Sequence, residues 1–145
     1  MTSQEVRRIE RERVLALLYQ ANVFDRSGTE ILESLDSPES TYVKTRIEGI
    51  YAHIAEIDRV LTDNSYGWEL SRMPLLDLLV MRFAVYELLY AQDLSAAVAI
   101  SEAVELAKQY CSEQSPSFIN GVLGGVLTSL APRIQRSGST TTQLS

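Results

Sequence analysis

Residues 99–126, AISEAVELAKQYCSEQSPSFINGVLGGV, decide how the chain is read. Ile100, Ala103, Val104 and Ala107 recur at steps of three and four, which predicts a helix with one buried face. Ser112 to Ser115 is a short polar break. A second helix is expected to follow, with Ser115 as N-cap and Pro116 at the first helical position, where a missing N–H costs nothing. Gly121, Gly124 and Gly125 lie inside this second helical pattern, and each lowers helix propensity by about 1 kcal/mol relative to Ala. Their presence predicts close backbone contact.

Working outward, the most hydrophobic stretch is 74–90, opened by Pro74. Its apolar residues cover nearly the whole circumference, which predicts the central helix of the domain. Asp77 and Arg82 interrupt it five residues apart and do not form an ideal same-face pair. Upstream, Ser37 and Pro38 are expected to open a long helix running to about Thr62, with Tyr42, Val43, Ile47, Ile50, Ile54, Ile57 and Leu61 on its buried face. Gly49 reads as a packing notch, and His53 as a surface or helix-contact residue. Asp63 to Ser71 reads as a loop, with Trp68 expected in the core or under that loop.

The first helix is expected over residues 3–22, with Thr2 and Glu5 as a capping box. At 3.6 residues per turn, Arg7, Arg8 and Arg11 fall on one arc, Tyr19 lies further along it, and Arg13 points nearly opposite. Guanidinium groups beside an aromatic ring suit single-stranded RNA, because Arg pairs with phosphate and the ring stacks on an exposed base. Read from charge pattern alone, the same residues also make a solvated face paired to Glu5, Glu10 and Glu12.

The chain has 145 residues, 46% of them hydrophobic, and a net charge of −6. That suits one domain with a genuine core and argues against a generally basic nucleic-acid binder, while leaving room for a local basic patch. Cys111 is the single cysteine, so no internal disulfide forms. With no apolar signal region and no span-length apolar run, a soluble cytoplasmic protein is expected, with no membrane contact. No phosphate loop, nucleophile elbow or metal-ligand cluster is present, which predicts neither enzyme activity nor a cofactor or metal. Phe118 falls in the first turn of the last helix, where free N–H groups meet an anion while a ring stacks on a base; a core position is the usual alternative. From residue 132 onward the polar sequence reads as a flexible tail, leaving residues 1–131 as the single domain.

The ordered set ISEAVELAKQY, SPSFINGVLGGVL, the stretch from Asp77 through Arg82 to Tyr86, Glu87 and Leu88, and Arg11-Glu12 with Leu18-Tyr19-Gln20 resembles the NusB family of bacterial transcription antitermination factors over nearly the whole chain. Departures are Leu78, Ser101 and Ser117, where the family often has Arg, Asn and a basic residue. The resemblance implies an all-α fold of about six to seven helices in two antiparallel subdomains, the first ending near Thr62. It implies binding to the box A element of nascent rRNA leader transcripts together with NusE, a small-subunit ribosomal protein, within an RNA polymerase antitermination complex. It places RNA contacts at Arg7, Arg8, Arg11, Tyr19 and Phe118, and a protein-partner contact at Asp77. Self-association to a homodimer through the RNA surface is a further expectation. Two other readings stay open: a protein-interaction helical domain with weak or no RNA binding, and an accessory domain of an rRNA methyltransferase.

Overall fold

The computed structural model describes the backbone of residues 1–142 and side chains to residue 131. The expected tail from residue 132 therefore lies outside the described side chains, and residues 143–145 lie outside the described residues altogether. Among the described residues there are seven α-helices and no strand: α1 (Ser3–Val23), α2 (Gly28–Glu33), α3 (Thr41–Ala52), α4 (Ile54–Asp63), α5 (Leu75–Tyr90), α6 (Ala96–Tyr110) and α7 (Ser115–Thr142). A 3-10 turn at Leu70–Arg72 leads into α5. None of the described helices is long and apolar enough to cross a membrane.

Local sequence starts α1 as expected. The Thr2 side chain accepts from the Glu5 N–H while Glu5 reaches back to the Thr2 N–H, closing a capping box. Ser27 and Glu30 build a second box on α2. Helices α1, α2 and α3 pack together, α5, α6 and α7 form a second group, and α5 also touches α1, α3 and α4. Its fully buried Val80, Met81 and Val85 join Val14, Leu17, Ile47, Ile57, Ile119 and Leu123 in one continuous core.

The expected single helix from 37 to 62 is two helices. It starts late, at Thr41, because Ser40 rather than Ser37 caps it by accepting from the Val43 N–H. Glu39 stays outside the helix, held by Arg13 of α1 through two bonds of 2.8 and 2.9 Å. The helix then breaks at His53, which closes α3 and opens α4 at φ −118°, ψ 21°. The His53 ring stacks on Tyr90 of α5, centroids 4.2 Å apart. Gly49 lies against the Tyr86 ring, where any Cβ would overlap it, so the notch expected at Gly49 is filled by α5. Bending at His53 lets both α3 and α4 follow α5.

At the other end, Ser115 is the first residue of α7 rather than its cap. Its hydroxyl donates to Asp77 Oδ1 at 2.9 Å and is bonded to Ser112. Of the three glycines expected to make close contact, only Gly125 does so, with Asn64 and Tyr66 as neighbours; Gly121 and Gly124 face open space.

Candidate nucleic-acid interface

The N-terminal half of α1 and the length of α6 enclose a groove of about 560 Å³. Arg7, Arg8 and Arg11 line one wall, Glu102 and Glu105 the other, with Val98 and Leu106 between them. The arginine arc read from the sequence is therefore real, but its three members are not equivalent.

Arg8 is exposed, forms no close ion pair among the described residues, and acts only at a distance on Glu5. Arg7 is half exposed, lies over the Tyr42 ring at 3.8 Å, and holds a loose pair with Glu10 at 3.8 Å. Arg11 is only 4% exposed and forms a two-point ion pair with Glu87 of α5, at 2.8 and 3.1 Å. Burial works against the Arg11 charge, and the Glu87 carboxylate more than offsets that, raising its pKa. Its guanidinium is thus committed to the fold rather than free for a phosphate. The signal was in the spacing: Arg11 precedes Val14, Leu15 and Leu18 by three, four and seven residues, which puts it on the buried face.

Glu87 gathers more than Arg11. Tyr42 donates its hydroxyl to it at 3.2 Å, and Arg46 approaches at 3.4 Å. The Tyr42 ring has Arg7 at 3.8 Å and Arg46 at 4.0 Å from its centroid. Burial, reinforced by Glu87, pushes the Tyr42 hydroxyl pKa well above its usual range. Arg7 is thereby tethered to this cluster while keeping its outer edge in solvent. Arg82, which the sequence left unpaired, binds Asp58 of α4 through bonds of 2.8 and 2.9 Å.

Tyr19 is 46% exposed and lines neither the groove nor the cavity at the start of α7. Phe118 lines that cavity, a 290 Å³ hollow with Trp68, Met73 and Pro74 as its apolar walls and Asp77 and Gln114 among its polar ones. Phe118 also packs on the core, as the core reading expected, while one side of its ring stays on the cavity. Trp68 corrects the sequence reading: it is 57% exposed, and its ring meets Phe118 edge-on at 6.1 Å. Its neighbours Tyr66 and Gly67 take left-handed backbone, φ 48° and 89°, which carries the loop outward.

Asp77 is 4% exposed and faces inward. It accepts from Ser115 and fixes the turn between α6 and α7. Burial, with Asp77 beside it, pushes the Cys111 thiol up to about 12, so this cysteine stays protonated. Tyr110, the last residue of α6, donates to Glu12 at 2.8 Å and ties that turn to α1.

The structure thus defines an all-α domain of two helical groups sharing one core, with a groove between an arginine wall and a glutamate wall and an aromatic cavity open on its surface. The chain belongs to the NusB family, whose match spans residues 8–128. It is 42% identical to the transcription antitermination protein NusB of Salinispora arenicola, covering 83% of this chain and 93% of that one. It is 41% identical to the protein of the same name from Acetivibrio thermocellus, covering 83% and 88%. Its fold matches T. maritima NusB with a TM-score of 0.75 at 32% identity, covering 84% and 90% of the two chains. It also matches, at 22% identity and a TM-score of 0.71, a chain in a crystal structure of antitermination factors NusB and NusE in complex with dsRNA, covering 85% and 96%.

Proposed function

We propose that this chain is an RNA-binding transcription antitermination factor that acts with NusE on box A of nascent rRNA leader transcripts. The observation that carries this reading is the family match over residues 8–128, with relatives named transcription antitermination protein NusB covered nearly end to end. The groove supports it: Arg8 and the outer edge of Arg7 offer guanidinium groups to phosphates beside an apolar strip. Tyr19 and Phe118 are the rings for base contact, and Arg11 positions α1 from below through Glu87. Asp77 bears on a protein partner by holding the α6–α7 turn through Ser115. The role is binding, not catalysis.

Glu102 and Glu105 on the facing wall favour a second reading, a protein-interaction domain with weak RNA affinity. Anisotropy of labelled box A RNA, with and without NusE and across a salt series, separates the two. Preference over a scrambled RNA, strengthened by NusE and weakened by salt, is the expected result. NusE binding without RNA preference would replace the first reading with the second.

A further inference from the structure

Two large aromatic side chains lie in the open on one short loop. Tyr66 is 83% exposed and Trp68 is 57% exposed. The loop is well anchored from behind. Asn64 donates to the Val60 carbonyl at 2.8 Å and to Ser129 of α7 at 3.4 Å, and the buried Ser65 hydroxyl donates to the Leu61 carbonyl. Gly125 of α7 brings that helix close to Asn64 and to the Tyr66 hydroxyl, within the range where a Cβ would press on both. The rings are therefore presented on a fixed mount.

Trp68 lines a built concavity, while Tyr66 lies next to it on the same loop with its hydroxyl near Gly125. Trp68 and Phe118 meet at 67°, so the face of one ring is not covered by the other, and Met73 and Pro74 complete an apolar wall. Asp77 and Gln114 add a carboxylate and an amide to the lining. At 290 Å³ the hollow lies at the lower end of small-molecule pockets, the scale of one planar heterocycle and not of a helix or strand. The Asp77 carboxylate already accepts from Ser115, so a flat ring that stacks on the apolar wall and turns one hydrogen-bonding edge to the Gln114 amide fits this mixture. Along α7 the next outward positions, Gly121 and Gly124, carry no side chain and meet nothing, so a chain backbone has clear access beside Phe118.

We propose that the Trp68–Phe118 cavity is a nucleobase-stacking subsite for single-stranded RNA, with Trp68 as its main platform and Tyr66 as a second ring beside it. The proposal rests on the RNA-binding reading above and adds to it two residues outside the arginine groove. Base stacking on an aromatic tolerates any sequence, so this subsite contributes affinity and path rather than sequence choice.

Trp68 is the only tryptophan of this chain, so the chain's own tryptophan emission, read against NusE alone, reports this cavity. The test titrates full-length protein, with NusE present, with box A RNA, reading RNA anisotropy and Trp68 emission together. Trp68→Leu, Trp68→Phe and Tyr66→Ala variants are compared by anisotropy, with circular dichroism confirming their helix content. The expected result is quenching of Trp68 with the same midpoint as the anisotropy change. Trp68→Leu should weaken binding roughly tenfold, and Trp68→Phe should recover part of that loss. RNA binding without quenching, with Trp68→Leu at wild-type affinity, overturns the subsite and leaves the RNA-binding reading standing. Absence of RNA binding in the wild type overturns both. Quenching by NusE alone, unchanged by RNA, overturns the subsite in favour of a protein contact.

Discussion

Arg11 of α1 and Glu87 of α5, separated by 76 residues in sequence, meet through two parallel hydrogen bonds of 2.8 and 3.1 Å in the buried interior. The pair is planar-matched and charge-assisted, and Tyr42 and Arg46 complete the carboxylate's shell. It fixes the rotation of α1 about its own axis, and with it the outward direction of Arg7 and Arg8.

Removing one partner of such a pair leaves an uncompensated buried charge. Arg11→Ala and Glu87→Ala should each lower unfolding free energy by about 3–5 kcal/mol. The double variant Arg11→Met with Glu87→Leu should recover only part of that loss, because Tyr42 and Arg46 lose the same carboxylate. Urea unfolding monitored by circular dichroism measures both. Equal stability of the single variants and wild type would show that the pair does not hold α1.

Arg7 and Arg8 should act on RNA through counterion release. Each change to Ala should make the slope of log affinity against log salt shallower by about 0.7, the value for one phosphate contact on a single strand. Arg11→Met, paired with Glu87→Leu to keep the fold, should leave that slope unchanged. The salt series by anisotropy distinguishes a phosphate contact from a structural guanidinium.

Two helical glycines should respond in opposite directions. Gly49→Ala places a methyl into the Tyr86 ring, and overpacking of this kind costs about 1–3 kcal/mol. Gly124→Ala meets nothing and should stabilise α7 by roughly 0.5–1 kcal/mol through backbone entropy and helix propensity. Thermal melts of the two variants give the comparison. If Gly124→Ala stabilises the protein yet weakens RNA binding, the open strip on α7 is used by the ligand.

Alkaline pH should destabilise the fold earlier than solvent-exposed tyrosines would. The Cys111 thiol is raised in the folded state from about 9 to about 12, chiefly by burial and then by Asp77. Below pH 9 the thiol is protonated in both states and imposes no penalty. Above pH 9 the unfolded chain loses the proton first, so stability falls as pH rises toward the folded value. Tyr42, also raised by burial, adds to the decline at higher pH. Melting temperature measured from pH 8 to 10.5 should fall, and Cys111→Ala should flatten the first part of that fall. The same protonation predicts slow alkylation of Cys111 by iodoacetamide in the folded protein and fast alkylation in urea.

What the sequence made legible was local or periodic. The Thr2–Glu5 box closes within one turn, and the all-round apolar pattern of 74–90 marks α5 as central without knowledge of any partner. What it hid depends on residues far apart in the chain. His53 ends α3 where its ring stacks on Tyr90 of α5, and no propensity at 53 says so. Ser115 looked like a cap because Ser precedes Pro, but Asp77, 38 residues away, takes its hydroxyl. Trp68 looked like core because tryptophan is large and apolar, and its exposure follows from the left-handed turn at Tyr66 and Gly67. The spacing of Arg11 to Val14, Leu15 and Leu18 already put it on the buried face of α1; which carboxylate would meet it there, Glu87, was not legible.

Helix α5 touches both helical groups, and its buried residues belong to the same core as those of α1, α3, α4 and α7. Neither group has an interior of its own to close without it. The molecule therefore lacks the independently folding halves that a hinge requires, and the fragment ending at Thr62 would expose its apolar faces together with the orphaned Arg11 charge. Cooperative unfolding of the whole domain in one step follows, and a ligand meets a rigid template whose geometry is set before it arrives.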